Sequence, residues 1–194
     1  MTKHRIALFA SGSGTNAEAI MRHFKEHEKI EVALLMSNNP NAFALQRAKK
    51  FNVPSVVFSR QQFRESDTVL QWLKEKEITD IVLAGFMWLM TANIISQYPG
   101  KIINIHPALL PKFGGKGMYG HHVHQAVKAA GEKETGITIH LVNEQYDEGK
   151  ILFQASCPIN PTDSPEQIAE QVHRLEHQHY PAQIEKWINL HPEK

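Results

Sequence analysis

The sequence predicts an α/β protein: an open, mostly parallel twisted sheet with helices on both faces and an antiparallel extension in its C-terminal part. Three observations carry that expectation. From Ile6 to Ile105 short apolar runs alternate with segments of helical spacing, the pattern of strands covered on both sides and joined by crossover helices. A glycine turn, Ser11-Gly12-Ser13-Gly14-Thr15-Asn16, follows the first run directly. Past Pro107 the alternation stops, and two strand-like runs flank Asp147 and read as a hairpin-like pair.

The elements follow in chain order. Residues 6–10 form a buried-type strand, and Ala17, Ile20, Met21 and Phe24 then recur at helical spacing. Residues 32–36 are the second strand, closed by Ser37-Asn38-Asn39-Pro40, a loop signal. A helix over 42–50 leads to a third strand, 55–58, and a helix over 67–76 turns Val69, Leu70 and Leu73 inward. The strand at 80–84 precedes Gly85-Phe86-Met87 and a helix near 92–97; residues 101–105 are the fifth strand. A glycine-rich loop, 113–120, precedes a helix over 121–130. Strands are expected at 136–142 and 151–159. A long helix from 164 to about 187 follows, with Ser164 as N-cap and Pro165 at its first position. Pro181 is expected to kink or break it, and the polar tail after Trp187 to fray.

Composition narrows the function. With 194 residues the chain suits one domain, with 1–100 as a nucleotide-phosphate half and 101–194 as a catalytic half. Its 21 basic and 20 acidic residues give a formal charge of +1 without a Lys/Arg block, which argues against nucleic acid as a partner. The single cysteine, Cys157, sits in an apolar run and reads as a packed side chain in a reducing compartment. No apolar run approaches the roughly 18 to 20 residues of a membrane span, and Met1-Thr2-Lys3-His4-Arg5 leads straight into a strand. A cytoplasmic location is expected.

The string Ile102-Ile-Asn-Ile-His-Pro-Ala-Leu-Leu-Pro111 carries the chemistry. Asn104 and His106 are two apart on a strand, so they leave one face at its carboxyl end, where ligands bind in open α/β sheets. An amide donor beside a titratable ring, with Asp147 available to orient the ring, can stabilise an oxyanion and move a proton. The chain therefore reads as a transferase acting on a carbonyl group. The expectation is that Asp147 raises the His106 pKa and favours the imidazolium.

The glycine turn reads as a phosphate cradle at a helix N-terminus, with Gly14, Thr15 and Asn16 as holders of a monophosphate. No acid ends the second strand to hold a dinucleotide ribose, and no Gly-Lys-Ser/Thr occurs. Among the 12 histidines, His121, His122 and His124 cluster, and His173 and His177 stand one helical turn apart. Without a paired cysteine or a His-Glu-x-x-His string they do not make a metal site, and none is expected.

Four strings carry a resemblance: Asn104-Ile-His-Pro-Ala-Leu-Leu-Pro111, Leu83-Ala-Gly-Phe-Met87, Ser11-Gly-Ser-Gly-Thr-Asn16 and Asp147-Glu-Gly149. Together with Glu176-His177-Gln178-His179-Tyr180-Pro181 they resemble, in one colinear order, the phosphoribosylglycinamide formyltransferases of the folate-dependent formyltransferase family. The resemblance implies a Rossmann-like formyltransferase fold. It implies transfer of the formyl group of 10-formyltetrahydrofolate to the amine of glycinamide ribonucleotide in purine biosynthesis. Asn104, His106 and Asp147 would be catalytic. Ser13, Gly14, Thr15 and Asn16 would hold the phosphate, Glu176 the ribose hydroxyls, and Gly85, Met87 and Pro107 would line the nucleotide's path. The folate pterin would lie against Trp88, Leu89 and Met90 and the backbone of Val142, Asn143 and Glu144.

Folate enters as a co-substrate, with no tightly bound cofactor and no metal. Both partners are small molecules, and the chain would be a monomer or weak homodimer. Two features depart from the family pattern: Trp88 stands where arginine is frequent, and the loop 113–122 is longer and richer in glycine, with His121 as a candidate substrate contact. The Asn-x-His-Pro string is also shared with formyltetrahydrofolate hydrolase, which would use water in place of the amine. A hydrolase would carry an additional N-terminal domain, for which this length leaves no room. A non-catalytic mononucleotide-binding module is the alternative outside enzymes.

Overall fold

The structure is a computed structural model that describes residues 3–190. Seven strands form one sheet in the order β3-β2-β1-β4-β5-β6-β7. Strands β1 (His4–Phe9), β2 (Ile30–Ser37), β3 (Ser55–Val57), β4 (Asp80–Leu83) and β5 (Ile102–His106) pair in parallel. β6 (Glu134–Leu141) and β7 (Ile151–Pro158) add on in antiparallel fashion. The mostly parallel sheet and its antiparallel extension are thus as expected.

The helices are α1 (Thr15–His23), α2 (Phe43–Lys50), α3 (Arg60–Arg64), α4 (Thr68–Glu75), α5 (Ala92–Gln97), α6 (His121–Ala129) and α7 (Pro165–Leu190). Alternation along a strand divides its side chains between two cores. In β1, Ile6 and Leu8 enter the core under α1, α2 and α7, whereas Ala7 and Phe9 enter the one under α3, α4 and α5. A third, small cluster of Ala108, Val123 and Val127 seats α6.

Two expectations change. The short α3 was not foreseen; five residues give too little periodicity, and its signal is the capping box of Ser59 and Gln62. Pro181 does not break α7, which runs unbroken to Leu190. An interior proline removes one helical hydrogen bond and costs about 3 kcal/mol. Packing offsets that: Tyr180, Ile184, Trp187 and Ile188 are buried, and the Tyr180 hydroxyl donates to the carbonyls of Leu83 at 2.9 Å and Ile103 at 3.2 Å. Of the tail expected to fray, residues 188–190 belong to the helix, and residues 191–194 lie outside the described residues. At the other end of α7, Ser164 caps as expected. The Gln167 amide donates to its Oγ at 3.3 Å, and the Ser164 amide donates to Gln167 Oε1 at 2.8 Å.

The strand order reverses between β1 and β4: the chain first winds outward to β3, then returns to β4. Such a switch point opens a crevice beyond the strand ends. The glycine turn after β1 and the Gly85 turn after β4 both border it.

Candidate active site

The crevice is a cavity of about 680 Å³, within the range of small-molecule sites. One wall is the glycine turn. Gly14 has φ +72°, and a Cβ there would lie 2.5 Å from Ala44 Cβ, so only glycine lets α2 pack this close. The turn is tied across the switch point. The Ser11 amide donates to Gly85 O at 3.0 Å, and the Met87 amide donates to Ser11 Oγ at 3.0 Å. Asn16 Nδ2 donates to Glu176 Oε2 at 2.9 Å, joining the turn to α7. Burial pushes the Glu176 carboxyl above its usual range, against the opposing pull of His173 and Asn16.

The polar centre is built from cross-strand pairs. Asn104 lies opposite His140, and His106 opposite Thr138, all on one face of β5 and β6. Thr138 anchors the chain after His106: its hydroxyl donates to Ala108 O at 2.7 Å and accepts from the Leu110 amide at 2.9 Å. Asp147 arrives on the β6–β7 connection. Gly149 permits that connection, since a Cβ there would overlap the Leu141 carbonyl.

Asp147 Oδ2 lies 3.5 Å from His106 Nδ1, and Oδ1 lies 3.6 Å from His140 Nε2. His106 Nε2 donates to the Phe113 carbonyl at 2.7 Å, and His140 Nδ1 donates to the Leu141 carbonyl at 2.8 Å. With Nδ1 protonated, neutral His140 accepts at Nε2 from Asn104 Nδ2, 3.1 Å away. The second N–H of that amide remains for a ligand.

The electrostatics correct one expectation. Asp147 does pull the His106 pKa upward, but burial is the larger effect and leaves it below 6.5. The unliganded ring is therefore neutral at pH 7. Asp147 moves the other way. Burial alone would raise its carboxyl, but the two imidazoles beside it, His140 and then His106, and the N–H of Gly115 together lower it.

The cavity brings together Asn104, His106 and Asp147 with Ser13, Gly14, Thr15 and Asn16. It also takes in Gly85, Met87, Pro107 and Glu176, together with Trp88, Leu89, Met90 and Val142. Asn143 and Glu144 are exposed and stand outside its lining, where Asn143 Oδ1 instead accepts from the Gln145 amide at 3.0 Å. Gln145 and Tyr146 line the wall there. Trp88 packs on Phe63, with ring centroids 5.7 Å apart, and on Phe58 at 6.1 Å.

His121 reaches the cavity, as do His124, His140 and His173, none of the last three singled out as site residues by the sequence. For His140 the signal was an imidazole two positions after Thr138 in an otherwise apolar strand. Among the described residues, no three His, Cys, Asp or Glu side chains converge as metal ligands.

An α/β crevice holding a phosphate-type turn at one end and an amide, an imidazole and a carboxylate at the other is the site of a group-transfer enzyme. The chain belongs to the formyl transferase family, whose model matches residues 4–184. It is 38% identical over 191 residues to phosphoribosylglycinamide formyltransferase of Bacillus subtilis, covering 96% of this chain and 95% of that one. It is 34% identical to the trifunctional purine biosynthetic protein adenosine-3 of Drosophila melanogaster, of whose length it spans 14%. The crystal structure of glycinamide ribonucleotide transformylase 1 from Geobacillus kaustophilus superposes with a TM-score of 0.85 at 40% identity, over 94% of this chain and 97% of that one.

Proposed function

We propose that this chain transfers the formyl group of 10-formyltetrahydrofolate to the primary amine of N1-(5-phospho-D-ribosyl)glycinamide, a step of purine biosynthesis. The observation that carries the reading is the meeting of Asn104, His106 and Asp147 in the same cavity as the glycine turn and Glu176. The phosphate lies on Ser13, Gly14, Thr15 and Asn16, and the ribose hydroxyls on Glu176. Gly85, Met87 and Pro107 line the path of the amine. The pterin lies against Trp88, Leu89, Met90 and Val142.

The amine, with a pKa of about 8, attacks the formyl carbon in its neutral form. As the C–N bond forms, the carbonyl π pair moves onto oxygen, and the free N–H of Asn104 donates to that oxyanion. One such donor is worth about 3 to 4 kcal/mol of barrier. Neutral His106 takes the excess amine proton at Nδ1. Asp147, held ionised, stabilises the imidazolium so formed. His106 then returns the proton to the folate nitrogen as the bond from that nitrogen to the formyl carbon breaks.

The chain works as one domain in the cytoplasm, as a monomer or weak homodimer. Among the described residues, no helix is long and apolar enough to cross a membrane. Purified protein with both substrates should yield formylated nucleotide and tetrahydrofolate in equal amounts. Formate released from the folate at the same rate without nucleotide would reject this reading in favour of hydrolysis.

A further inference from the structure

We propose that Phe113-Gly114-Gly115 is a positioning element that decides which nitrogen of His106 meets the substrate, with Gly114 as its critical residue. The inference rests on the catalytic roles assigned above to His106 and Asp147.

The Phe113 carbonyl can only accept a hydrogen bond, and it lies 2.7 Å from His106 Nε2. That nitrogen therefore carries a proton in the neutral ring as well as in the charged one. Only Nδ1 is left to exchange a proton, and Nδ1 is the atom 3.5 Å from Asp147 Oδ2. Two residues along, the Gly115 amide donates to that same Oδ2 at 3.0 Å. One short stretch of backbone thus holds the ring and the carboxylate together. The other titratable groups facing the ring are His140 on β6 and His124 on α6.

The stretch is itself anchored. Phe113 packs on the Ala108, Val123 and Val127 cluster and is held at φ +56°, a left-handed value unusual for a residue with a Cβ. Gly114 has no such backbone demand. Its constraint is space: a Cβ would lie 2.5 Å from Leu110 Cδ2 and 3.3 Å from Asp147 Cβ. Leu110 is buried and has little room to yield. An added methyl therefore moves Asp147 away from Nδ1 or lifts the Phe113 carbonyl off Nε2, and either shift frees the ring from its fixed tautomer.

The test uses the full chain with ¹⁵N-labelled histidine, the His106 ring signals being those lost in His106→Gln. The wild-type neutral ring should carry its proton on Nε2. Gly114→Ala should show mixed tautomers, a kcat lower by roughly 10- to 100-fold, a displaced acid limb, and a nucleotide KM within about twofold of wild type. A Gly114→Ala enzyme with wild-type kcat, acid limb and Nε2 proton overturns the proposal. If that variant does not fold, the wild-type spectrum decides alone, because a neutral His106 protonated on Nδ1 also overturns it. The spectrum does not depend on turnover, so an inactive wild type with the Nε2 proton in place rejects only the reaction proposed above.

Discussion

At His106 two opposing effects act on one side chain, and their balance sets its role. Burial lowers the ring's pKa more than Asp147 raises it, so the side chain waits as a base. The active form is the neutral ring, and activity is lost as pH falls through the lowered pKa. The ¹⁵N-detected titration of the His106 ring in the unliganded protein should therefore have its midpoint below 6.5, the value of a free imidazole; a midpoint above that value would mean that the carboxylate, not burial, governs the ring. Glu176 offers a second check at this scale. Glu176→Ala removes the ribose acceptor and leaves Asn16 Nδ2 without its 2.9 Å partner. The nucleotide KM should rise about tenfold, near 1.4 kcal/mol. Steady-state kinetics showing a change confined to the folate KM would mean that the two substrates are placed the wrong way round.

At the scale of elements, the contact between α6 and α7 should weaken as pH falls. His124 on α6 is 2% exposed, its Nδ1 has no hydrogen-bond partner among the described residues, and its ring centroid is 6.5 Å from that of His173 on α7. Burial, then the charges of His173, His121 and His106, lower its pKa to about 4. Above 6.5 the ring is neutral folded or unfolded and contributes nothing to the pH dependence. Between 6.5 and 4 the unfolded chain takes a proton that the folded chain refuses, so stability falls by up to about 3 kcal/mol. His124→Gln should flatten the decline of Tm over that window. An unchanged slope would show that the ring is protonated in the folded protein.

The long α7 depends on one phenol. Tyr180→Phe leaves the carbonyls of Leu83 and Ile103 without that donor and should cost about 1 to 3 kcal/mol in denaturant unfolding. A cost near zero would mean that apolar packing alone holds the helix across Pro181.

Across the whole molecule, the sequence was legible wherever a signal is local. Strand and helix alternation, the glycine turn, and the two-residue spacing of Asn104 and His106 all lie within short windows, and each element they predicted is present. Asp147 was found although it lies on another segment, because its Asp-Glu-Gly turn is itself a local string. The features that escaped depend on register and packing. His140 becomes a neighbour of Asn104 only once β5 and β6 pair antiparallel with those two residues opposite each other. The Phe113 carbonyl is a backbone group and has no residue type to announce it. Of the kink or break expected at Pro181, the break is absent because the helix propensity of one residue was outweighed by the burial around it.

Three side chains, from β5 and from the β6–β7 connection, are proposed to act together on the formyl carbon. Single-turnover formyl transfer at saturating concentrations of both substrates, compared between wild type and Asp147→Asn, tests this most directly. The predicted result is a rate lower by about 100-fold or more, with the fold and both substrate affinities kept. A variant that turns over at the wild-type rate would contradict it.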